Sequence, residues 1–287
     1  WLKGSIVNIY NVVGNQIALY IFILLFSYGG EGARGNYGAA ALIAAIISYS
    51  SFLGFALYPK LLAERKREDI TTSMKFILMF AIPMTAGAIA LSDSYLSMLT
   101  VEFGEATPVL VVLAIDALLG TVSGLYGSVL LGFEKIDEQA KISFRELIRS
   151  RMFIAFSLPY LHSLITLPTT FYVLTTYALN DVEAALCVGI INSSARFAMF
   201  LILYTIVHKI ITVDIPWRNI ARYVFASAVM ATSLFVIPHP KTILLTLVVT
   251  IIGGIVYLAL LMAIDREARV LAVTLWQETM TKVKGII

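Results

Sequence analysis

Residues 107–131 read TPVLVVLAIDALLGTVSGLYGSVLL, an apolar run whose single charge is Asp116. A membrane-crossing helix needs about 20 mostly apolar residues, because each adds about 1.5 Å of rise across about 30 Å of hydrocarbon. This stretch therefore predicts a spanning helix. Its carboxyl group makes it more than a generic one. An ionisable side chain at the centre of a span costs on the order of 2.5–3.5 kcal/mol on insertion scales, so Asp116 needs a partner or water.

The same pattern repeats on both sides. Seven more stretches qualify, roughly 6–27, 36–59, 72–91, 152–177, 184–211, 219–237 and 242–264. Pro159 and Pro168 are expected to kink the one over 152–177. The fold class that follows is all-α, a multi-pass transmembrane bundle of about eight helices. Composition agrees: 59% of the 287 residues are hydrophobic, 14% are charged and the mean hydropathy is +0.88. A soluble domain carries about 25% charged residues, so the bilayer is the solvent this chain fits. The net charge of +3 is small and scattered, which gives no reason to expect a nucleic-acid partner. Membrane lipids are the expected surroundings.

Basic residues alternate between loops. Lys60, Arg65, Lys66 and Arg67 fall in one connection, Lys135, Lys141, Arg145, Arg149 and Arg151 in another, and Lys209, Arg218 and Arg222 in a third. Lys3 at the start and Arg266, Arg269, Lys282 and Lys284 in the tail belong to the same side, while the opposite connections hold only Arg34 and Lys241. The positive-inside rule then places both termini in the cytoplasm of a cell-membrane protein, and an even helix count requires the two termini to share a side. Residues 265–287 alternate Val270, Leu271, Val273, Leu275 and Trp276 with charges, which predicts a short amphipathic helix on the inner membrane surface.

The buried polar groups carry the functional information. Asp116 lies about nine residues into its helix and Arg196 about twelve into the helix over 184–211, both near the midplane at about 1.5 Å per residue. His162, Asn15 and Gln16 fall in the same layer. Faces agree as well. Asp116, Gly120, Gly124 and Gly127 share one face, Gly189, Asn192, Ser193 and Arg196 another, and Gly4, Asn8, Asn11 and Asn15 a third, all expected to turn away from lipid. For Asp116 and Arg196 two readings stay open: a structural ion pair with glycines for tight packing, or groups on the wall of a wet cavity. Asn8, Asn11 and Asn15 are read as cavity lining. His162 is either a satisfied interior histidine or a cavity group. Substrate-cavity candidates are thus Arg196, Asp116, Asn192, His162, Asn8, Asn11, Asn15 and Gln16. Lys75 is shallow enough to snorkel. The last two spans hold no ionisable group at depth and are expected to lie outside the cavity.

Catalytic signatures are absent. The sequence has no P-loop, no HExxH and no GxSxG, and its three histidines, His162, His208 and His239, have no metal-ligand spacing. Cys187 is the only cysteine, so no intrachain disulfide forms. Asn192-Ser193-Ser194 matches a glycosylation sequon but lies within a span. Neither catalytic residue, metal nor cofactor is expected, and transport is the more economical reading than an enzyme.

Several short stretches resemble one family. They are Tyr37-Gly38-Ala39-Ala40, then Ala56-Leu57-Tyr58-Pro59-Lys60-Leu61, then Ile82-Pro83, then Phe103-Gly104-Glu105-Ala106-Thr107-Pro108-Val109-Leu110, and Gly132-Phe133-Glu134-Lys135. Over the second to fourth spans the chain resembles prokaryotic polysaccharide flippases of the Wzx type. Their superfamily includes multidrug and toxin extrusion transporters and the lipid II flippase. The resemblance implies two six-helix lobes in a protein of about twelve to fourteen helices, rocking to expose a central cavity to each side in turn. Eight spans would then be the second lobe (1–211) with an additional helix pair (212–264) and a cytoplasmic tail (265–287), and an N-terminal lobe of the same protein is expected to be missing from this sequence. The implied cargo is a polyprenyl-diphosphate-linked sugar, with Arg196 as the candidate for the diphosphate. Two alternatives remain: a cation-coupled small-molecule antiporter using Asp116, and a membrane-embedded enzyme or structural subunit. The latter would need a carboxylate or histidine cluster at the membrane surface.

Overall fold

A computed structural model describes residues 2–52, 67–133 and 150–269, without the side chains of residues 2–8 and Arg67. Every element is helical, as it must be where lipid offers no hydrogen bonds to the backbone. The helices are α1 (Leu2–Ala18), α2 (Ile21–Leu24), α3 (Gly30–Ser48), α4 (Arg67–Ala90), α5 (Ser92–Leu99), α6 (Thr107–Phe133), α7 (Arg151–Thr176), α8 (Asp181–His208), α9 (Trp217–Val236) and α10 (Ile243–Ile264). Seven helical stretches among the described residues are long and apolar enough to cross a membrane. The chain is a multi-pass membrane protein.

The first of those stretches, Ile9–Ser51, is 43 residues long, twice what one crossing needs. It is a hairpin. A π-turn over Leu25–Gly29 leads to Gly30, which takes φ 91°, a left-handed conformation that glycine adopts without steric cost. Beyond it α3 runs back along α2. The rings of Phe22 and Tyr37 lie 5.2 Å apart, although fifteen positions along a straight helix would separate them by about 22 Å. Against the eight spans expected, the described residues hold seven candidate spans, the first of them folded back on itself at Gly30.

The other connections are capped by local chemistry. Ser150 caps α7 by accepting from the Phe153 N–H, and α8 opens on a capping box in which Asn180 and Glu183 accept from each other's backbone N–H, satisfying donors a helix start leaves free. α7 continues through Pro159 and Pro168 as one helix. Between the spans α4 and α6 stands a folded elbow made of α5 and a 3-10 turn over Val101–Ala106. Leu96 and Ala106 are fully buried there, so the elbow is packed rather than solvated.

Two apolar clusters stack along α6 and α8. One gathers α2, α3, the first halves of α6 and α8, and Leu96 of the elbow. The other joins α4, the second halves of α6 and α8, and α9 and α10, with Tyr126, Met230 and Tyr257 in its interior. α9 lies on α4, and α10 on α9. The Tyr257 hydroxyl donates to the Met79 carbonyl at 2.6 Å and Tyr95 meets Thr250 at 2.8 Å. α10 is thus fastened to both α4 and α5 despite its apolar, exposed outer face.

α1 belongs to neither cluster. It lies along α7, held by a three-ring stack in which Tyr10 sits 5.1 Å from Phe153 and 4.4 Å from Tyr160. The Tyr160 hydroxyl donates to the Tyr10 carbonyl at 2.6 Å. Gly14 makes room for that ring, since a Cβ there would fall 2.6 Å from it.

Some expectations fall on residues outside the described set. The tail helix can be followed only to Arg269, the charged connection over 132–151 is described only at its two ends, and the Ala56–Leu61 and Glu134–Lys135 stretches are not described.

Candidate functional site

Three helix faces place the site. On α6, Asp116 faces inward and is 5% exposed. On α8, Arg196 is one turn below Asn192, and that face packs against α6 and α7. On α7, His162, Thr166 and Thr170 repeat at four-residue spacing and are all buried, one stripe of the helix, from which His162 lines the site. Where the three faces meet α3 there is a pocket of about 230 Å³. Asp116, His162, Asn192 and Arg196 line it, together with Tyr37 and the small residues Ala41, Ala44 and Ser48 of α3.

Its centre is an ion pair. Arg196 Nη1 donates to Asp116 Oδ2 at 2.5 Å. Asymmetry is the informative feature. The Asp116 side chain is 6% exposed and the Arg196 side chain 41%. Asp116 Oδ1 is enclosed as well, with the Ser193 side chain of α8 beside the carboxylate. Guanidinium carries five N–H donors, and the contact to Asp116 is made through Nη1 alone. The carboxylate thus anchors one edge of the guanidinium and leaves the remaining donors toward the pocket. His162 Nε2 approaches the Asn192 carbonyl at 3.4 Å, a long contact that fixes the ring loosely. Thr166 Oγ1 and Thr170 Oγ1 are buried on α7 without hydrogen-bond partners among the described residues, and neither lines the pocket.

The structure separates the sequence candidates into two groups. Asp116, His162, Asn192 and Arg196 come together. Asn11, Asn15 and Gln16 do not reach the pocket, which takes only Ala18 and Leu19 from that end of α1. Asn15 and Gln16 are exposed, and Asn15 Nδ2 donates to the carbonyl and side-chain oxygens of Asn11 at 2.9 and 3.1 Å. Asn8 lies on α1, and its side chain falls outside the described residues.

The glycine face of α6 needs correction. Nothing lies within 4 Å of where a Cβ would stand at Gly124 or Gly127, and at Gly120 the neighbour is Arg196 Nη1 at 3.7 Å. These glycines do not serve tight packing within the described residues; Gly120 lies beside the guanidinium, and Gly124 and Gly127 leave open space along α6. Lys75 is also placed differently. Instead of only snorkelling, it donates to both carboxylate oxygens of Glu267 at 2.9 and 2.8 Å.

Three features escaped the sequence reading. Tyr37 lines the pocket from α3, a helix whose depth showed no charge to draw attention. Near the end of α10, Asp265 is fully buried, accepts from Asn219 at 3.0 Å, and lies 3.4 Å from Arg222. At the opposite end of the molecule, Glu102, Glu105 and Asp181 border a second, wider pocket of about 710 Å³ with Asn36. Asn36 and Asp181 are distant in sequence from the two glutamates, so no motif joins them.

No family model matches this chain, and no curated protein matches it. One solved structure does, the lipid II flippase MurJ in an inward closed conformation, with a TM-score of 0.65 and 16% identity. The match covers 90% of this chain and 52% of that one, so the chain spans about half the length of the structure it resembles, and what the two share is the fold.

Proposed function

We propose that this chain is the second lobe and final helix pair of a transporter that flips a polyprenyl-linked oligosaccharide or polysaccharide repeat unit across the cell membrane by alternating access. In this reading residues 1–211 form the lobe, 212–264 the additional pair and 265–287 a cytoplasmic tail, with both termini in the cytoplasm. The fold shared with a lipid II flippase supports a lipid-linked cargo. The short motifs around Tyr37, Ile82 and Phe103 support a Wzx-type member of that superfamily.

One observation carries the proposal: Arg196 is held at one edge by Asp116 while two fifths of its side chain remains open. A planar guanidinium that cannot lose its proton presents paired donors matching phosphate oxygens. A fixed cation beside small-residue walls suits a diphosphate better than a sugar hydroxyl. The open face of α6 at Gly124 and Gly127, and the exposed Asn15 and Gln16 of α1, are the surfaces this reading turns toward a partner lobe and a shared central cavity.

A second reading draws on Asp116, which lines the pocket beside Arg196. A carboxylate in the wall of a pocket is what a cation-coupled small-molecule antiporter would use.

The deciding experiment is transport by the complete reading frame in proteoliposomes. A fluorescent polyprenyl-diphosphate oligosaccharide should move between leaflets, and Arg196→Lys should slow it, because a point charge replaces a two-pronged donor. Cation-driven movement of a small organic cation, without lipid flipping, would favour the second reading. Six further hydrophobic spans upstream are expected; a soluble domain there would sink both.

A further inference from the structure

Arg34 is a cation with no acid to hold it. Among the described residues it makes no ion pair, and its guanidinium lies over the ring of Phe22, 4.8 Å from the centroid. It borders a groove of about 540 Å³, open to the surface, whose walls include Phe26, Leu42 and Phe103. Phe26 is 51% and Leu42 60% exposed, so this is apolar surface turned outward from the bundle. Gly38 forms the floor. A Cβ there would stand 3.1 Å from Arg34 Nη1, so glycine lets the guanidinium lie down along the helix. The same groove holds one charge of the other sign, Glu31, which is likewise unpaired.

We propose that this groove is a binding site for a phospholipid with a primary-ammonium headgroup, its phosphate on Arg34, its ammonium on Glu31 and a chain against Phe26 and Leu42. The charges decide the headgroup. Arg34 and Glu31 are one helical turn apart, with Cβ atoms roughly 5–6 Å from each other, a gap that the two-carbon bridge between a phosphate and an ammonium spans. A guanidinium matches phosphate through parallel N–H donors. A headgroup of net negative charge would meet Glu31 in the groove, and also Glu102 and Glu105, which border the pocket on the far side of Phe103. A quaternary ammonium has no N–H to donate to Glu31. The site shares no residue with the Arg196 pocket, so it stands or falls independently of the cargo.

Native mass spectrometry of the delipidated full chain, titrated with phosphatidylethanolamine, phosphatidylglycerol or phosphatidylcholine of matched acyl chains, tests it. Phosphatidylethanolamine should bind first and raise the melting temperature most. Arg34→Gln should weaken its binding about tenfold, the effect of one charged hydrogen bond, and Arg34→Lys should restore part of the loss. Glu31→Gln changes an exposed position and should erase the preference for phosphatidylethanolamine over phosphatidylglycerol while phosphate binding persists. Equal binding of all three lipids, a preference for phosphatidylglycerol, or wild-type selectivity in both variants would overturn the proposal. If Arg34→Gln does not fold, Arg34→Lys and Glu31→Gln decide by the same readout.

Discussion

Arg196 and Asp116 form an unequal pair: the carboxylate is enclosed and the guanidinium is open to a pocket, with a single 2.5 Å contact between Nη1 and Oδ2. Removing one partner therefore has consequences that depend on which is removed. Arg196→Ala leaves an enclosed carboxylate uncompensated, at a cost of about 3–5 kcal/mol. Asp116→Asn leaves a guanidinium that the pocket can hydrate, at about 1 kcal/mol or less. Melting of the purified variants in detergent should rank them in that order. Equal losses would mean that the pocket is closed to water.

The double variant Asp116→Asn with Arg196→Gln separates scaffold from cargo binding. It removes both charges and keeps hydrogen-bonding amides at both positions, so stability should return to near that of wild type. Flipping by the complete transporter should stay lost, because no amide replaces the fixed cation. Restored flipping would make the pair a scaffold and remove Arg196 from the cargo path.

The pair was legible in the sequence because depth is legible. Hydropathy places Asp116 and Arg196 at one level, and two opposite charges at one level in hydrocarbon have reason to meet. Which neighbours surround them was not legible, since that depends on how each helix is rotated. Asn15 shares the level, yet α1 stands off along α7 and Asn15 spends its amide on Asn11. Tyr37 shares no charge pattern, yet the hairpin at Gly30 carries it to the pocket. The short α5 was hidden for a different reason. Ser92-Asp93-Ser94 reads as a polar loop, and only the burial of Leu91 and Leu96 beneath it makes it a helix.

Gly253 and Gly254 make a matched pair on α10. A Cβ at Gly253 would stand 2.9 and 3.0 Å from the two methyl carbons of Leu234, whereas Gly254 has nothing within 4 Å. Leu234 is buried between α9 and its neighbours and has little room to withdraw. Gly253→Ala should destabilise by about 1–3 kcal/mol through overpacking. Gly254→Ala should be neutral or slightly stabilising, as alanine favours a helix over glycine. Melting temperatures would show it; equal effects would mean that α10 slides freely on α9.

Sidedness is testable with one background change. With Cys187 replaced by serine, single cysteines at Thr100, in the elbow before α6, and at Asp214, between α8 and α9, should react with a membrane-impermeant maleimide from opposite sides. The distribution of loop lysines and arginines predicts Thr100 outside and Asp214 inside. Labelling of both from one side would break the eight-crossing topology, because three crossings separate them.

Asp265 is the most completely buried carboxylate among the described residues, and its partners define what it does. Oδ2 accepts from Asn219 at 3.0 Å and faces Arg222 at 3.4 Å, both on α9. Oδ1 accepts from the backbone N–H groups of Glu267 at 2.9 Å and Ala268 at 3.4 Å, which is how a side chain caps a helix start. One residue thereby ends α10, begins the next helical segment and binds both to α9. Two positions further on, Glu267 reaches Lys75 of α4. Asp265→Ala should cost about 1–3 kcal/mol, because the buried Asn219 amide and the two capped backbone N–H groups lose their acceptor. Asp265→Asn keeps an oxygen for the cap but turns an amide toward donors, and should cost less. The surface pair sets a baseline: Glu267 is 63% exposed, and Glu267→Gln should change stability by about 1 kcal/mol or less. Tm measurements on the three variants would check the order. If Asp265→Ala melts with wild type while proteolysis after Ile264 also stays unchanged, the cluster does not hold the last helix in place.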